Sequence, residues 1–371
     1  MNIAFRTDAS LQIGTGHVMR CLTLAEALQA AGAQCHFICR ALPGNLIAQI
    51  LQRGFTVSVL PTATETPIIN EVSVETQSNY AAWLGADWAA DAAQSKIGVG
   101  TTAVDWLIVD HYAINACWEQ ALRPLCRKLM VIDDLADRPH DCDLLLDQNL
   151  GRDAVDYSQL VPAGCTVLAG PLYALLRPEF AGLRDESLRR RAAPQLEHLL
   201  ITMGGVDQAD ATGKVLEALQ NCQLPADLRI TVVMGQHAPW LERVQLLAKQ
   251  MQQPTEVKIN VNNMAQLMAY SDLAIGAAGG ASWERCCLGL PTLIVVLAEN
   301  QRGGAAALEQ SGSVKSLDRV DAFPHTLQSM LSLLVTTDAL SQLSQKSCLI
   351  TDGQGTSRVM EALTLSECHG S

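Results

Sequence analysis

The residues best suited to chemistry stand near the start of the chain, where Gly14 and Gly16 precede His17, and Arg20 follows. The glycines let backbone approach a ligand without a Cβ in the way, and a helix opening here offers free N–H groups and a partial positive charge. That charge disfavours the imidazolium, so His17 is expected to be neutral and able to take a proton from water. Two further polar groups close apolar runs: Asp110-His111-Tyr112 after Trp106–Val109, and Asp133-Asp134 after Lys128–Ile132. For Asp133 and Asp134 two readings compete. They could open a metal-binding acidic cluster, or they could cap the following segment and pair with Arg138. No further acidic residue follows at the spacing a metal would use, which favours the second reading, and no metal is expected.

The second half carries two more glycine-punctuated turns. Met203-Gly204-Gly205-Val206-Asp207 ends one apolar run, and Gly276-Ala277-Ala278-Gly279-Gly280-Ala281-Ser282-Trp283-Glu284 ends another, with Asn300 and Gln301 downstream. Small residues after a strand expose consecutive N–H groups at a helix start, which holds a diphosphate without a basic cluster. Glu284 falls on the first turns of that helix, where a carboxylate accepts hydrogen bonds from a ribose diol or merely complements the helix dipole.

Alternating elements must position these groups. Asn2–Arg6, Gln34–Cys39, Phe55–Leu60, Trp106–Val109, Lys128–Ile132 and Leu144–Leu146 read as strands, with helical spacing after the first and second. Such alternation predicts βαβ units and a parallel sheet, whose ligands bind outside the carboxyl ends of the strands. The pattern loosens between Pro61 and Thr102, where the stretch from Tyr80 to about Ala93 reads as a helix with Tyr80, Trp83, Leu84 and Asp87 on one face, and Trp83 and Trp88 as packing residues. A second set of strands includes Glu197–Thr202, Arg229–Met234, Glu256–Ile259, Leu273–Gly276 and Thr292–Leu297. The expectation is an α/β protein of two Rossmann-like domains facing across a cleft: residues 1–175, a linker over 176–195, and residues 196–371. In the linker, Arg189-Arg190-Arg191 reads as a solvated helix face.

Composition narrows the function classes. With 371 residues the chain is long for one core. Apolar residues make up 49% and charged residues 17%, which suits a compact enzyme, and a net charge of −12 argues against a nucleic-acid binder. No apolar run reaches the roughly 18 residues of a spanning helix, and the N-terminus lacks a signal-peptide pattern, so a cytoplasmic protein with no membrane partner is expected. The twelve cysteines are scattered, with only Cys286-Cys287 adjacent, and read as buried small hydrophobes rather than disulfides or a zinc site.

Taken together, Arg6-x-Asp8, Ile13-Gly-x-Gly-His17-x-x-Arg20, Asp110-His-Tyr112, Gly170-x-x-Tyr173-x-x-x-Arg177, Met203-Gly-Gly-x-Asp207 and the segment from Glu284 to Gln301 resemble the UDP-sugar hydrolases of pseudaminic acid biosynthesis, in order and over nearly the whole chain. The resemblance implies a glycosyltransferase-B architecture. It also implies metal-independent, inverting hydrolysis of UDP-2,4-diacetamido-2,4,6-trideoxy-β-L-altropyranose to the free sugar and UDP, in a pathway of flagellin glycosylation or surface polysaccharide synthesis. His17 then matches the catalytic histidine, and Tyr112 and Asn300 match polar active-site positions. The residues fit that chemistry: Asp8, Tyr112 and Asn300 could align water and sugar, while Gly14, Gly16, Arg20, Gly204, Gly205, Asp207, Ala278, Gly279, Gly280, Ala281, Ser282, Glu284 and Gln301 are the candidate contacts to a UDP-sugar. No cofactor is expected, and oligomeric state is left open. A metal-independent glycosyltransferase, or a hydrolase of another UDP- or CDP-sugar, is the rival reading. A non-catalytic sensor would leave the Gly14–His17 and Asp110–Tyr112 elements without a task.

Overall fold

The computed structural model describes residues 1–62, 80–317, 323–334 and 337–368 and divides into two compact units, residues 1–175 with 356–371, and residues 176–355. The first unit runs β1 (Asn2–Thr7), α1 (Gly16–Ala30), β2 (Gln34–Arg40), α2 (Ile47–Gln52), β3 (Thr56–Leu60), α3 (Trp88–Val99), β4 (Val104–Asp110), α4 (Ala116–Leu122), β5 (Cys126–Ile132), β6 (Leu144–Asp147) and β7 (Thr166–Ala169). Its seven parallel strands lie in the order β3-β2-β1-β4-β5-β6-β7. The apolar runs are continuous because both faces of the sheet are covered. On β4, Trp106 and Ile108 enter one core layer with Ile3, Phe5 and α1 residues such as Leu22, while Leu107 and Val109 enter the other with Ala4 and Trp118.

The stretch from Tyr80 departs from the expected single helix. A 3₁₀ turn over Ala81–Leu84 ends at Gly85 in the left-handed region (φ 67°), and Asp87 then caps α3 by accepting from the N–H groups of Ala89 (3.0 Å) and Ala90 (2.9 Å). Asp87 is therefore a helix start, not part of a face shared with Tyr80. Of the loosely patterned region, residues 63–79 lie outside the described residues.

The second unit runs α5 (Pro178–Arg190), β8 (His198–Thr202), α6 (Ala211–Gln220), β9 (Arg229–Met234), α7 (Leu241–Gln250), β10 (Thr255–Ile259), α8 (Met264–Ala269), β11 (Leu273–Ala277), α9 (Ala281–Cys287), β12 (Thr292–Val295), α10 (Arg302–Gln310), β13 (Lys315–Leu317), α11 (Phe323–Leu334) and α12 (Thr337–Ser347). Its six parallel strands follow the order β10-β9-β8-β11-β12-β13, the same progression as the first six of the first unit.

Residues 176–195 are built into this unit rather than linking it. From α5, Arg184 donates to the carbonyls of Cys348 (2.6 Å) and Thr351 (3.0 Å). Arg191 is not on a solvated face but buried, where its guanidinium donates to the carbonyls of Met268 (2.9 Å), Ala269 (3.0 Å) and Ser271 (2.9 Å), the orphan groups at the end of α8. The last helix, α13 (Gly355–Cys368), places Val359 and Leu363 in the first unit's core, so the expected 196–371 domain gives up its final helix. Among the described residues, no helix is long and apolar enough to cross a membrane.

Candidate active site

Strand order reverses between β1 and β4, and the residues after both strands share one end of the sheet. After β1, the loop closes on itself: Gly14 N–H donates to Ser10 O (2.8 Å), and Ser10 Oγ accepts from the N–H of Ile13 (2.9 Å). Gly14 takes φ +82°, a conformation that disfavours a side chain, and Gly16 opens α1 with no side chain capping the helix start. His17 is the second residue of α1. Its Nδ1 stands 2.8 Å from Asp110 Oδ1, at the end of β4.

Asp110 is fully buried, and burial by itself would push its carboxyl up; Arg20 and His17 outweigh this and hold it well below the usual carboxylate range. An ionised carboxylate accepts only, so Nδ1 carries a proton and donates it, and in the neutral imidazole the lone pair is then on Nε2. Arg20, one turn along α1, locks the carboxylate with Nε to Oδ2 (2.6 Å) and Nη2 to Oδ1 (2.7 Å), and donates from Nη1 to Asp134 (3.0 Å). Asp134 also accepts from the Tyr112 hydroxyl (2.7 Å) and Asn149 Nδ2 (3.0 Å). The Tyr112 ring meets the His17 imidazole edge-on at 4.5 Å and stacks on Trp83 at 5.7 Å. The arrangement is an oriented imidazole with its outer nitrogen available, buttressed by a carboxylate, a guanidinium and an aromatic wall.

Two sequence expectations change here. Asp8 does not reach a ligand: it is fully buried, 2.7 Å from Arg6 Nη1 and accepting from Arg40 N–H (2.6 Å), in a cluster where Arg6 and Arg40 also bind Asp91. It anchors the foot of the loop. Arg20 spends its guanidinium on two carboxylates and holds the site together instead of presenting donors to a substrate. Asp110, which holds both His17 and Arg20, is the residue that the sequence reading left without a role; its signal was a carboxylate closing the strand next to β1. Asp133 does cap and pair as expected, accepting from Leu135 and Ala136 N–H (3.1 and 2.8 Å) and meeting Arg138 at 2.9 Å. Asp134 instead serves Arg20 and Tyr112.

In the second unit the reversal lies between β8 and β11. After β8, Gly204 (φ +91°) is exposed, and a Cβ on Gly235 would fall 2.1 Å from Gly205 O, so these two loops pass close together. Asp207 is buried and accepts from Ala211 N–H (2.9 Å) and Thr212 N–H (2.8 Å). It is the cap of α6 rather than a ligand contact, and its charge occupies the place an anion would take. The turn after β11 differs. Among the described residues no side chain caps α9; Gly280 is exposed, and Gly279 and Ala281 are half-buried. Ala278 N–H donates to Val295 O (2.9 Å), and Ser282 is turned inward, its N–H on Gly279 O (2.8 Å) and its Oγ accepting from Arg285 (3.0 Å). Open backbone is thus concentrated at Gly279–Ala281. Glu284 is partly exposed one turn on, 3.8 Å from Arg177, and Gln301 accepts from Leu297 N–H (3.0 Å) beside the turn. Asn300 belongs to the 3₁₀ turn Glu299–Gln301.

Residues 198–357 match the glycosyltransferase family 28 C-terminal domain, which spans the second unit from β8 onward. Acinetobacter baumannii MurG superposes with a TM-score of 0.68 at 17% identity, over 98% of this chain and 99% of MurG. The chain has the glycosyltransferase-B fold. Within that fold, the protein is 28% identical over 313 residues to the Campylobacter jejuni protein named UDP-2,4-diacetamido-2,4,6-trideoxy-beta-L-altropyranose hydrolase, 84% of this chain and 97% of that one. It is 26% identical to an uncharacterized protein of Methanocaldococcus jannaschii, over 81% of this chain and 57% of the relative. For the Bacillus subtilis spore coat polysaccharide biosynthesis protein SpsG the figures are 27% identity, 55% and 59%. The matched part is therefore little more than half the length of two of these three relatives. The resemblance carried by the motifs extends to a glycosyltransferase-B chain with relatives named for sugar-nucleotide and polysaccharide chemistry.

Proposed function

We propose that this protein hydrolyses UDP-2,4-diacetamido-2,4,6-trideoxy-β-L-altropyranose to the free sugar and UDP. The observation that carries the reading is the His17 imidazole held through Nδ1 by the ionised Asp110. Nε2 takes a proton from water as the water oxygen bonds to C1; the C1–O bond breaks, its electron pair leaves with UDP, and C1 inverts. Asp110 stabilises the imidazolium as it forms. The Gly279–Ala281 turn offers N–H groups to the departing diphosphate, a kind of contact whose loss typically costs about 2.7–4 kcal/mol. Glu284 receives the ribose diol. Asp133 and Asp134 are committed to Arg138, Arg20 and Tyr112, which supports chemistry without a metal. The eleven free thiols among the described residues suit a reducing, cytoplasmic setting.

The family 28 match favours a second reading, transfer of the sugar to an acceptor. Proton NMR of the UDP-sugar with the protein and EDTA separates the two. Free sugar of inverted anomeric configuration, appearing with UDP and without acceptor, is the expected result. Cleavage that waits for an added acceptor would establish the transferase, and cleavage abolished by EDTA would remove the metal-independent mechanism.

A further inference from the structure

Arg285 is a buried cation that the reading above leaves unused. It lies on α9 and is 1% exposed. Its Nη2 donates to Ala277 O (2.7 Å) and Ser282 Oγ (3.0 Å), both in the turn that follows β11. Among the described residues its Nε and Nη1 are buried without a hydrogen-bond partner. The guanidinium occupies the space left by Gly276, where a Cβ would stand 2.6 Å from Nη1. Among the described residues no carboxylate comes within ion-pair distance of it. Arg190 meets Asp272 at 2.5 Å, and Arg191, whose Nε also lacks a hydrogen-bond partner among the described residues, gives both Nη groups to carbonyls at the negative end of α8, whereas Arg285 uses Nη2 alone. Burial brings the pKa of Arg285 down to about 10, so it is still charged at neutral pH. Uncompensated buried charge is expensive, and here the field it makes falls on the turn after β11.

We infer that Arg285 supplies the counter-charge for the nucleotide diphosphate, acting through the 277–282 turn as a positioning residue and favouring UDP over uridine. This rests on the nucleotide reading of that turn. No basic side chain then needs to face the phosphates, because the positive charge lies beneath the backbone N–H groups that meet them.

The test compares UDP and uridine by calorimetry on wild type, Arg285→Gln and Arg285→Lys, with circular dichroism as the folding control. In Arg285→Gln, UDP should weaken tenfold or more, or 1.4 kcal/mol, while uridine changes less than twofold. Arg285→Lys should keep UDP affinity at pH 7 and lose it by pH 9, where the buried lysine is neutral and the wild-type arginine is not. Equal weakening of both ligands would make Arg285 a mere pin for the turn and overturn the inference, as would unchanged UDP affinity in Arg285→Gln. Should that variant not fold, pH-independent UDP binding by Arg285→Lys overturns it equally. Wild type that binds neither ligand would overturn the nucleotide reading, and this inference with it.

Discussion

Replacing Asp110 with asparagine removes one charge beside His17 and almost no volume. The carboxylate accepts from His17 Nδ1 at 2.8 Å and from Arg20 at 2.6 and 2.7 Å. An amide in its place must oppose an N–H to at least one Arg20 donor, and it cannot offset a positive imidazole. At an effective dielectric constant of about 20, unit charges separated by the 2.8 Å of this contact attract by about 6 kcal/mol. With the proton half transferred in the transition state, about 3 kcal/mol of that is lost, roughly a hundredfold in rate; full transfer sets a ceiling of about ten-thousandfold. The cost in stability is smaller, about 1–3 kcal/mol, because Arg20 keeps Asp134.

The assay is UDP release under saturating UDP-sugar, with UDP affinity by calorimetry and urea unfolding alongside. We expect kcat to fall between a hundredfold and ten-thousandfold while UDP binding changes less than twofold. His17→Ala should fall as far, and the double variant no further, since the two residues act as one unit. Asp110→Asn that is folded and within tenfold of wild type refutes the dyad. A double variant well below His17→Ala would show that Asp110 contributes by another route.

Glu284→Ala should weaken UDP and uridine alike, by about tenfold for a lost pair of charge-assisted hydrogen bonds, and wild-type uridine affinity would remove its ribose role. Asp8→Asn should destabilise by about 1–3 kcal/mol, because Arg6 loses one buried carboxylate and keeps Asp91, with kcat of the folded protein retained; lost turnover at unchanged stability would return Asp8 to the active site. Asp147, whose carboxyl burial and neighbouring Asp134 push up to about 7, keeps a proton in the folded state that the unfolded chain has released. Stability should therefore decline as pH rises from the ordinary carboxylate range to about 7, by up to about 1.4 kcal/mol per pH unit, and Asp147→Asn should flatten that decline between pH 5 and 7. Parallel urea midpoints for the two proteins across that range would show the assignment of the proton to be wrong.

The two sheets were legible because parallel strands covered on both faces leave continuous apolar runs such as Trp106–Val109, bounded by glycines and helical spacing. Their order also brings the ends of β1 and β4 together, so the proximity of His17 to Asp110 followed from the pattern, although the two are 93 residues apart. What the pattern withholds is where each polar side chain is spent. Asp8 and Asp207 look like site residues in one dimension, yet one is closed in by Arg6 and Arg40 and the other caps α6. Arg191 and Arg285 look like surface charge, yet each turns inward to carbonyls that belong to other segments or turns. Likewise, Val359 and Leu363 show an apolar stripe on α13 but not which unit it completes.

Electrostatics divides labour between the two glycine turns more sharply than their shared topology does. At the first, Asp110 and Asp134 outnumber Arg20, so an incoming diphosphate would meet net negative charge at the start of α1. That same surplus suits an imidazole that must become positive in the transition state. At the second, α6 is already closed by Asp207, whereas among the described residues the start of α9 has no capping carboxylate, and the guanidinium beneath it has no carboxylate partner. The proposed hydrolysis would place its anionic leaving group there. The two charges a hydrolysis creates, positive on the base and negative on UDP, would thus each form where the fixed charge is of opposite sign, and neither requirement could be met by exchanging the two turns.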